Sequence, residues 1–217
     1  MESEPLTPDM TEAEAQKEAV TRSMYFKMIG KHLAITANIL AWGTYLLFKF
    51  IPGQADVYAK KFAVMHEYQL GYPFLVVYML YVTRQYLNIN SSGARAAAAI
   101  ERPDQHTYED AAGKQVLMSS KGAKGRFNRA QRAAFNMDES LPLFASALLG
   151  VGLVLGPVVL IPALLSVYGR INVAGSYKVD AGARGTGVML AFTGEMWTQG
   201  LALLCAIKSL AGPAIPF

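Results

Sequence analysis

Residues 140–169 are thirty consecutive positions without a charged side chain. As one helix at ~1.5 Å per residue they would extend about 45 Å, well beyond the ~30 Å hydrocarbon core of a bilayer. Gly156-Pro157 falls near the middle and reads as a break between two helices. The first half gains spanning length by running back through 126–139, the second by running on through Arg170 toward Tyr177. Three further stretches are of the same kind. Residues 33–51 hold one charge, Lys49, and end at Pro52-Gly53; residues 68–83 hold none; residues 185–207 hold one, Glu195, before Gly212-Pro213. Five membrane spans follow, the second completed by Arg84 or Tyr86 reaching to the interface.

Composition agrees with that solvent. Hydrophobic residues make up 53% of the 217 and charged residues 17%, against a usual ~25% charged in soluble domains. One cysteine excludes a disulfide scaffold, and neither a disordered nor a collagen-like chain has this make-up. Cys205 reads as a small packing residue. His32, His66 and His106 share no metal spacing, so no metal is expected. No phosphate loop, nucleotide fingerprint or nucleophile elbow occurs.

The remaining charge is unevenly placed. Residues 1–32 carry six acids and four bases, unlike a secretory signal or a transit peptide. Within this polar arm, residues 11–30 suit a helix with Met24, Tyr25, Met28 and Ile29 as its apolar edge, facing the membrane surface or a partner. Lys60 and Lys61 fall in a connector. Residues 88–125 read as a polar loop with one short helix. Five spans put the N-terminus, residues 84–132 and residues 169–185 on one side, which collects sixteen of the twenty lysines and arginines. That bias marks the cytosolic or organelle-matrix face. A single span over 140–169 would reduce the partition to 13 against 7. Between Lys114 and Arg132 six bases stand without an acid, which suits anionic headgroups; no motif accompanies them that would indicate nucleic acid.

Spacing narrows the function. Arg129, Arg132, Asn136 and Glu139 follow at steps of 3, 4 and 3, one stripe on a helix that enters the apolar run. Charged residues at that depth need a protein interior or a wet cavity. Arg84, Arg170 and Arg184 lie at the same level, with Glu139 and Asp180 as the nearby acids, and guanidinium forks there would suit a small carboxylate ligand as well as lipid phosphate. Glu195 reads either as functional or as the partner of a polar group such as Asn38 on the first span.

The stretch from Arg129 to Phe144 resembles the signature of the MAPEG family, the membrane-associated proteins in eicosanoid and glutathione metabolism, of its microsomal glutathione S-transferase and leukotriene C4 synthase type. The pattern E-R-x-x-R-A-x-x-N-x-x-E-x-x-P is met at Arg129, Arg132, Ala133, Asn136, Glu139 and Pro142. It departs at Asn128, where the pattern has an acid, at Ser140 and Val173, where tyrosines are expected, and at Ala134, where glutamine is common. Val167-Tyr168-Gly169-Arg170 resembles the end of the family's third helix, and Arg84 the arginine closing its first. The resemblance covers roughly residues 66–210. It implies an all-α, integral membrane four-helix bundle, to which the polar arm 1–32, a transmembrane helix 33–51 and a loop insertion 88–125 are additions. It further implies a homotrimer with glutathione as cosubstrate between subunits. Arg84, Arg129, Arg132, Asn136, Glu139, Arg170 and Tyr177 would hold the peptide, and Arg184 would stabilise the thiolate that attacks a lipophilic electrophile or hydroperoxide. The additions also suit a non-catalytic accessory subunit of a larger membrane complex, for example a mitochondrial respiratory one. An endoplasmic reticulum or mitochondrial membrane is the expected location.

Overall fold

The computed structural model describes residues 10–102, 104–111 and 115–211. The described chain is helical apart from one two-stranded hairpin. Helix α1 (Glu12–Lys31) opens with a capping box in which Thr11 and Glu14 satisfy each other's free backbone N–H groups. It does not end at the start of the apolar run. A π-helical turn (His32–Thr36) carries it straight into α2 (Ala37–Lys49), and Asn38 Nδ2 donates to the carbonyls of Leu33 at 2.9 Å and Ala34 at 3.2 Å in this wide turn. Gly53, at φ 80°, starts α3 (Gln54–Glu67). The segment carrying Lys60 and Lys61 is thus a helix, where a plain connector was expected.

Helix α4 (Gly71–Ala97) runs well past the apolar residues 68–83. The antiparallel strands β1 (Tyr108–Ala111) and β2 (Gln115–Met118) follow, then α5 (Gly122–Leu155). The polar excursion is therefore the tail of α4, a hairpin and the head of α5; among the described residues it holds no separate short helix. Strong helix formers such as the alanine run after Gly93 carry the helices beyond the apolar segments.

Gly156, at φ 55°, opens a 3-10 turn (Gly156–Val159) and divides α5 from α6 (Leu160–Val179). A second 3-10 turn (Gly182–Arg184) leads to α7 (Gly185–Ala211). The expected break at Gly156-Pro157 is where the chain reverses. Arg129 near the start of α5 reaches the carbonyls of Lys178 and Val179 at the end of α6, so these helices are antiparallel. Helices α4 to α7 form a bundle around Val76, Leu87, Leu148, Val151, Val159 and Ala163. The stretches Gly122–Val179 and Gly182–Ala211 are long and apolar enough to cross a membrane.

At the bundle's polar end α1 packs on α4. Met10 joins Ala94, Ala97, Phe127 and Ala130 in a second apolar cluster. A Cβ at Gly93 would lie 2.2 Å from Arg22 Cγ, so the two helices meet there without room for a side chain. Helix α1 is docked on its own chain, whereas α2 exposes Ile39, Leu40, Trp42, Leu47 and Phe48. Tyr45 of α2 meets Trp42 of its own helix and Tyr58 and Phe62 of α3 at ring separations near 6.0 Å, beside a cleft of about 320 Å³ that contains none of the polar residues singled out above.

Candidate functional site

Three chain segments converge at the polar end of the bundle. Glu18 of α1 accepts from Arg126 Nε at 2.7 Å and from Lys178 Nζ at 2.7 Å. All three side chains are buried, at 3%, 4% and 0% exposure. The N-terminal arm, the head of α5 and the end of α6 are thereby joined through one carboxylate. This triad is a structural centre that the stripe pattern did not reveal.

The hairpin insertion is seated by the residue that breaks the family motif. Asn128 Nδ2 donates to the carbonyls of Thr107 at 2.8 Å and Ser119 at 2.9 Å, and its Oδ1 accepts from the Thr107 N–H at 2.9 Å. A carboxylate would lack both donors. Three residues on, Gln131 donates to Gln105 at 2.7 Å, and the His106 ring lies 5.6 Å from that of Phe135. Burial first, and Arg132 second, lower the His106 pKa from its ordinary 6.5. Asn128→Ala should cost about 2 kcal/mol of local stability, because three buried or half-buried hydrogen bonds lose their common partner. Hydrogen exchange over residues 104–119 should accelerate in that variant while the α6–α7 pair stays protected.

Deeper in the bundle, two arginines meet acids of their own chain. Arg84 clamps Asp138 with Nε at 2.5 Å and a second nitrogen at 2.8 Å, and also donates to Asn88. Arg170 donates to Glu195 Oε1 at 2.5 Å and to Ser140 Oγ at 2.7 Å. Ser140 and Ser166 hydroxyls lie 3.4 and 3.5 Å from the same Glu195 oxygen. A cavity of about 10 Å³, roughly the space of one water, adjoins this group together with Thr83 and Phe144. Glu195 therefore pairs with Arg170, while Asn38 is occupied within its own helix. The acids that balance the arginines are Asp138 and Glu195, in addition to Glu139.

The other expected ligand residues lie nearer the surface. Arg132 and Glu139 pair at 3.0 Å with 48% and 60% of their side chains exposed, a geometry worth ~1 kcal/mol or less. Asn136 is half-buried on the same stripe. Arg129 closes the end of α6 and also donates to the Ser120 carbonyl at 2.7 Å. Arg184 is exposed in the α6–α7 connection, its guanidinium 5.1 Å from the Tyr177 ring centre, within cation–π range. Among the described residues no carboxylate lies within ion-pair distance of Arg184. No group of His, Cys, Asp or Glu among them could hold a metal.

An apolar helical bundle with an arginine-rich polar end defines a membrane-associated class of protein. A sequence model of the MAPEG family matches residues 73–205, more than half the chain. The chain belongs to the MAPEG family, a membrane-associated family whose members use glutathione. No curated protein and no solved structure matches it.

Proposed function

We propose that this protein is a membrane-spanning glutathione transferase or peroxidase acting on lipophilic electrophiles or hydroperoxides. The observation that carries the reading is Arg184, an exposed guanidinium without a carboxylate partner among the described residues, stacked on Tyr177 within a chain of this family. A cation so placed favours the thiolate of a bound thiol and lowers its pKa. Arg132, Asn136, Glu139 and Tyr177 supply exposed or half-buried donors and acceptors for a short peptide. With an epoxide, the sulfur–carbon bond forms as the carbon–oxygen bond breaks, and the alkoxide takes a proton. With a hydroperoxide, sulfur takes one oxygen, the alcohol leaves, and a second glutathione yields the disulfide and water. Five spans, a homotrimer with the ligand between subunits, and a cytosolic or matrix-side N-terminus complete the proposal. The meeting of α1, α5 and α6 at Glu18 supports that topology, because these segments belong to one membrane face in it.

The test is calorimetric titration of glutathione into the purified full chain, with thiolate absorbance recorded in parallel. Binding and a thiolate signal are expected. Arg184→Ala should abolish the thiolate signal and weaken binding roughly tenfold, the worth of one charge-assisted contact. No heat at millimolar glutathione would overturn the reading.

One observation favours a second reading, a non-catalytic accessory subunit. Helix α2 is mostly apolar and has no buried residue, and Arg84 and Arg170 are already neutralised within the chain. A helix apolar all round belongs in lipid or against other helices. Stoichiometric co-purification with other subunits after mild extraction is the expected sign; a homotrimer alone counts against it.

A further inference from the structure

Glu195 is an acid in the middle of an otherwise uncharged segment, and charge there usually serves a purpose. Its Oε1 takes the Arg170 guanidinium at 2.5 Å, with Ser140 and Ser166 grouped around the same atoms. Both members of the pair are mostly buried, at 15% and 14% exposure. The adjoining cavity of about 10 Å³ is far too small for a peptide. Arg170 is thus turned into the bundle, toward a carboxylate supplied by its own chain.

The geometry points to Glu195 as an internal competitor of an anionic ligand for Arg170, so that this residue sets how tightly the protein takes a carboxylate-bearing peptide. The inference rests on the glutathione reading above. A guanidinium satisfied by a carboxylate offers little to a second one, because its charge is already neutralised and its desolvation already compensated. Ser140 is small enough to let Arg170 lie inward and donates its hydroxyl to the arrangement. Binding a ligand carboxylate at Arg170 therefore requires breaking the 2.5 Å contact and exposing Glu195 within an apolar helix. Removing the Glu195 charge frees the guanidinium without changing side-chain size.

The experiment compares wild type with Glu195→Gln in nanodiscs, using glutathione titration and labelling of Arg170 by phenylglyoxal followed by mass spectrometry. Glu195→Gln should tighten glutathione binding roughly tenfold and accelerate Arg170 labelling at least as much. Glutathione should also raise the Tm of Glu195→Gln more than that of wild type, since the ligand carboxylate replaces the lost partner. The double variant Arg170→Gln, Glu195→Gln should show none of this gain. Equal labelling in the two folded proteins, or faster labelling without tighter binding where wild type binds, overturns the inference. Faster labelling with no glutathione binding to either protein overturns the glutathione reading and leaves the occupation of Arg170 by Glu195 standing. If Glu195→Gln does not fold, Glu195→Asp, a shorter acid, should show the same changes at smaller amplitude; no change in it overturns the inference.

Discussion

Gly169→Leu is expected to lose the native bundle, with about 4 kcal/mol or more of stability gone. A Cβ at position 169 would sit 2.3 Å from the Ala191 nitrogen and 2.7 Å from the Gly187 oxygen, where carbon contacts settle near 3.5–4.0 Å. Both neighbours are backbone, so no rotamer can relieve the clash and α6 must part from α7. The seam has no slack elsewhere. Cβ atoms at Gly187 and Gly194 would likewise stand 2.8 Å from the Val173 nitrogen and 2.5 Å from the Pro162 oxygen. Small residues matter doubly between apolar helices in lipid, where close van der Waals contact replaces the hydrophobic drive to associate. Separation would also pull Glu195 from Arg170, which face each other across the same seam. Thermal unfolding in detergent measures the loss. Gly175→Ala, at an α6 position with open space around it, is the control and should be neutral or gain up to ~1 kcal/mol from helix propensity.

Glu18→Ala should be the next most damaging single change, at about 3–5 kcal/mol. The carboxylate is shared by Arg126 and Lys178, and its removal withdraws one acceptor from each buried cation. Arg126 stays charged without Glu18, because a guanidinium does not deprotonate in proteins. Helix α1 should loosen, since the triad is its buried tie to the head of α5 and the end of α6. Trypsin should then cut at Lys17, Arg22 and Lys27 well before it cuts the bundle. Glu14→Ala, which removes only an exposed capping contact, should cost ~1 kcal/mol and leave those sites protected. If Glu18→Ala resists trypsin as wild type does, the docking of α1 does not depend on the triad.

Much of the architecture was legible from local pattern. The length of the uncharged run 140–169 and the Gly156-Pro157 dipeptide placed the reversal between α5 and α6, because a glycine at positive φ and a proline both act on the backbone where they stand. Periodicity placed Arg132 and Glu139 on one helical stripe, and they pair two turns apart at the surface. The same periodicity could not separate Asp138 from Glu139. Glu139 stays with Arg132 on its own helix, whereas Asp138 belongs to Arg84 of α4, 54 residues away. The pattern of the polar arm suits a membrane surface or a partner and singles out none of its acids. Glu18 instead finds partners 108 and 160 residues on. Asn128 was visible as a departure from the family motif, but its use as the clamp of the hairpin depends on where Thr107 and Ser119 return to α5.

By itself the sequence determined the helical class of this protein, the break at Gly156 and its family. Those follow from properties that act over a few residues: apolar length, helical period and backbone freedom. Only the tertiary structure decided which arginines are already answered by an acid of the chain, namely Arg84, Arg126, Arg132 and Arg170, and left Arg184 against an aromatic ring at the surface. Ion pairing falls off over a few ångströms and is set by how packed helices register against one another. That register is fixed by backbone contacts such as Gly169 on Ala191, between residues that no short-range pattern connects.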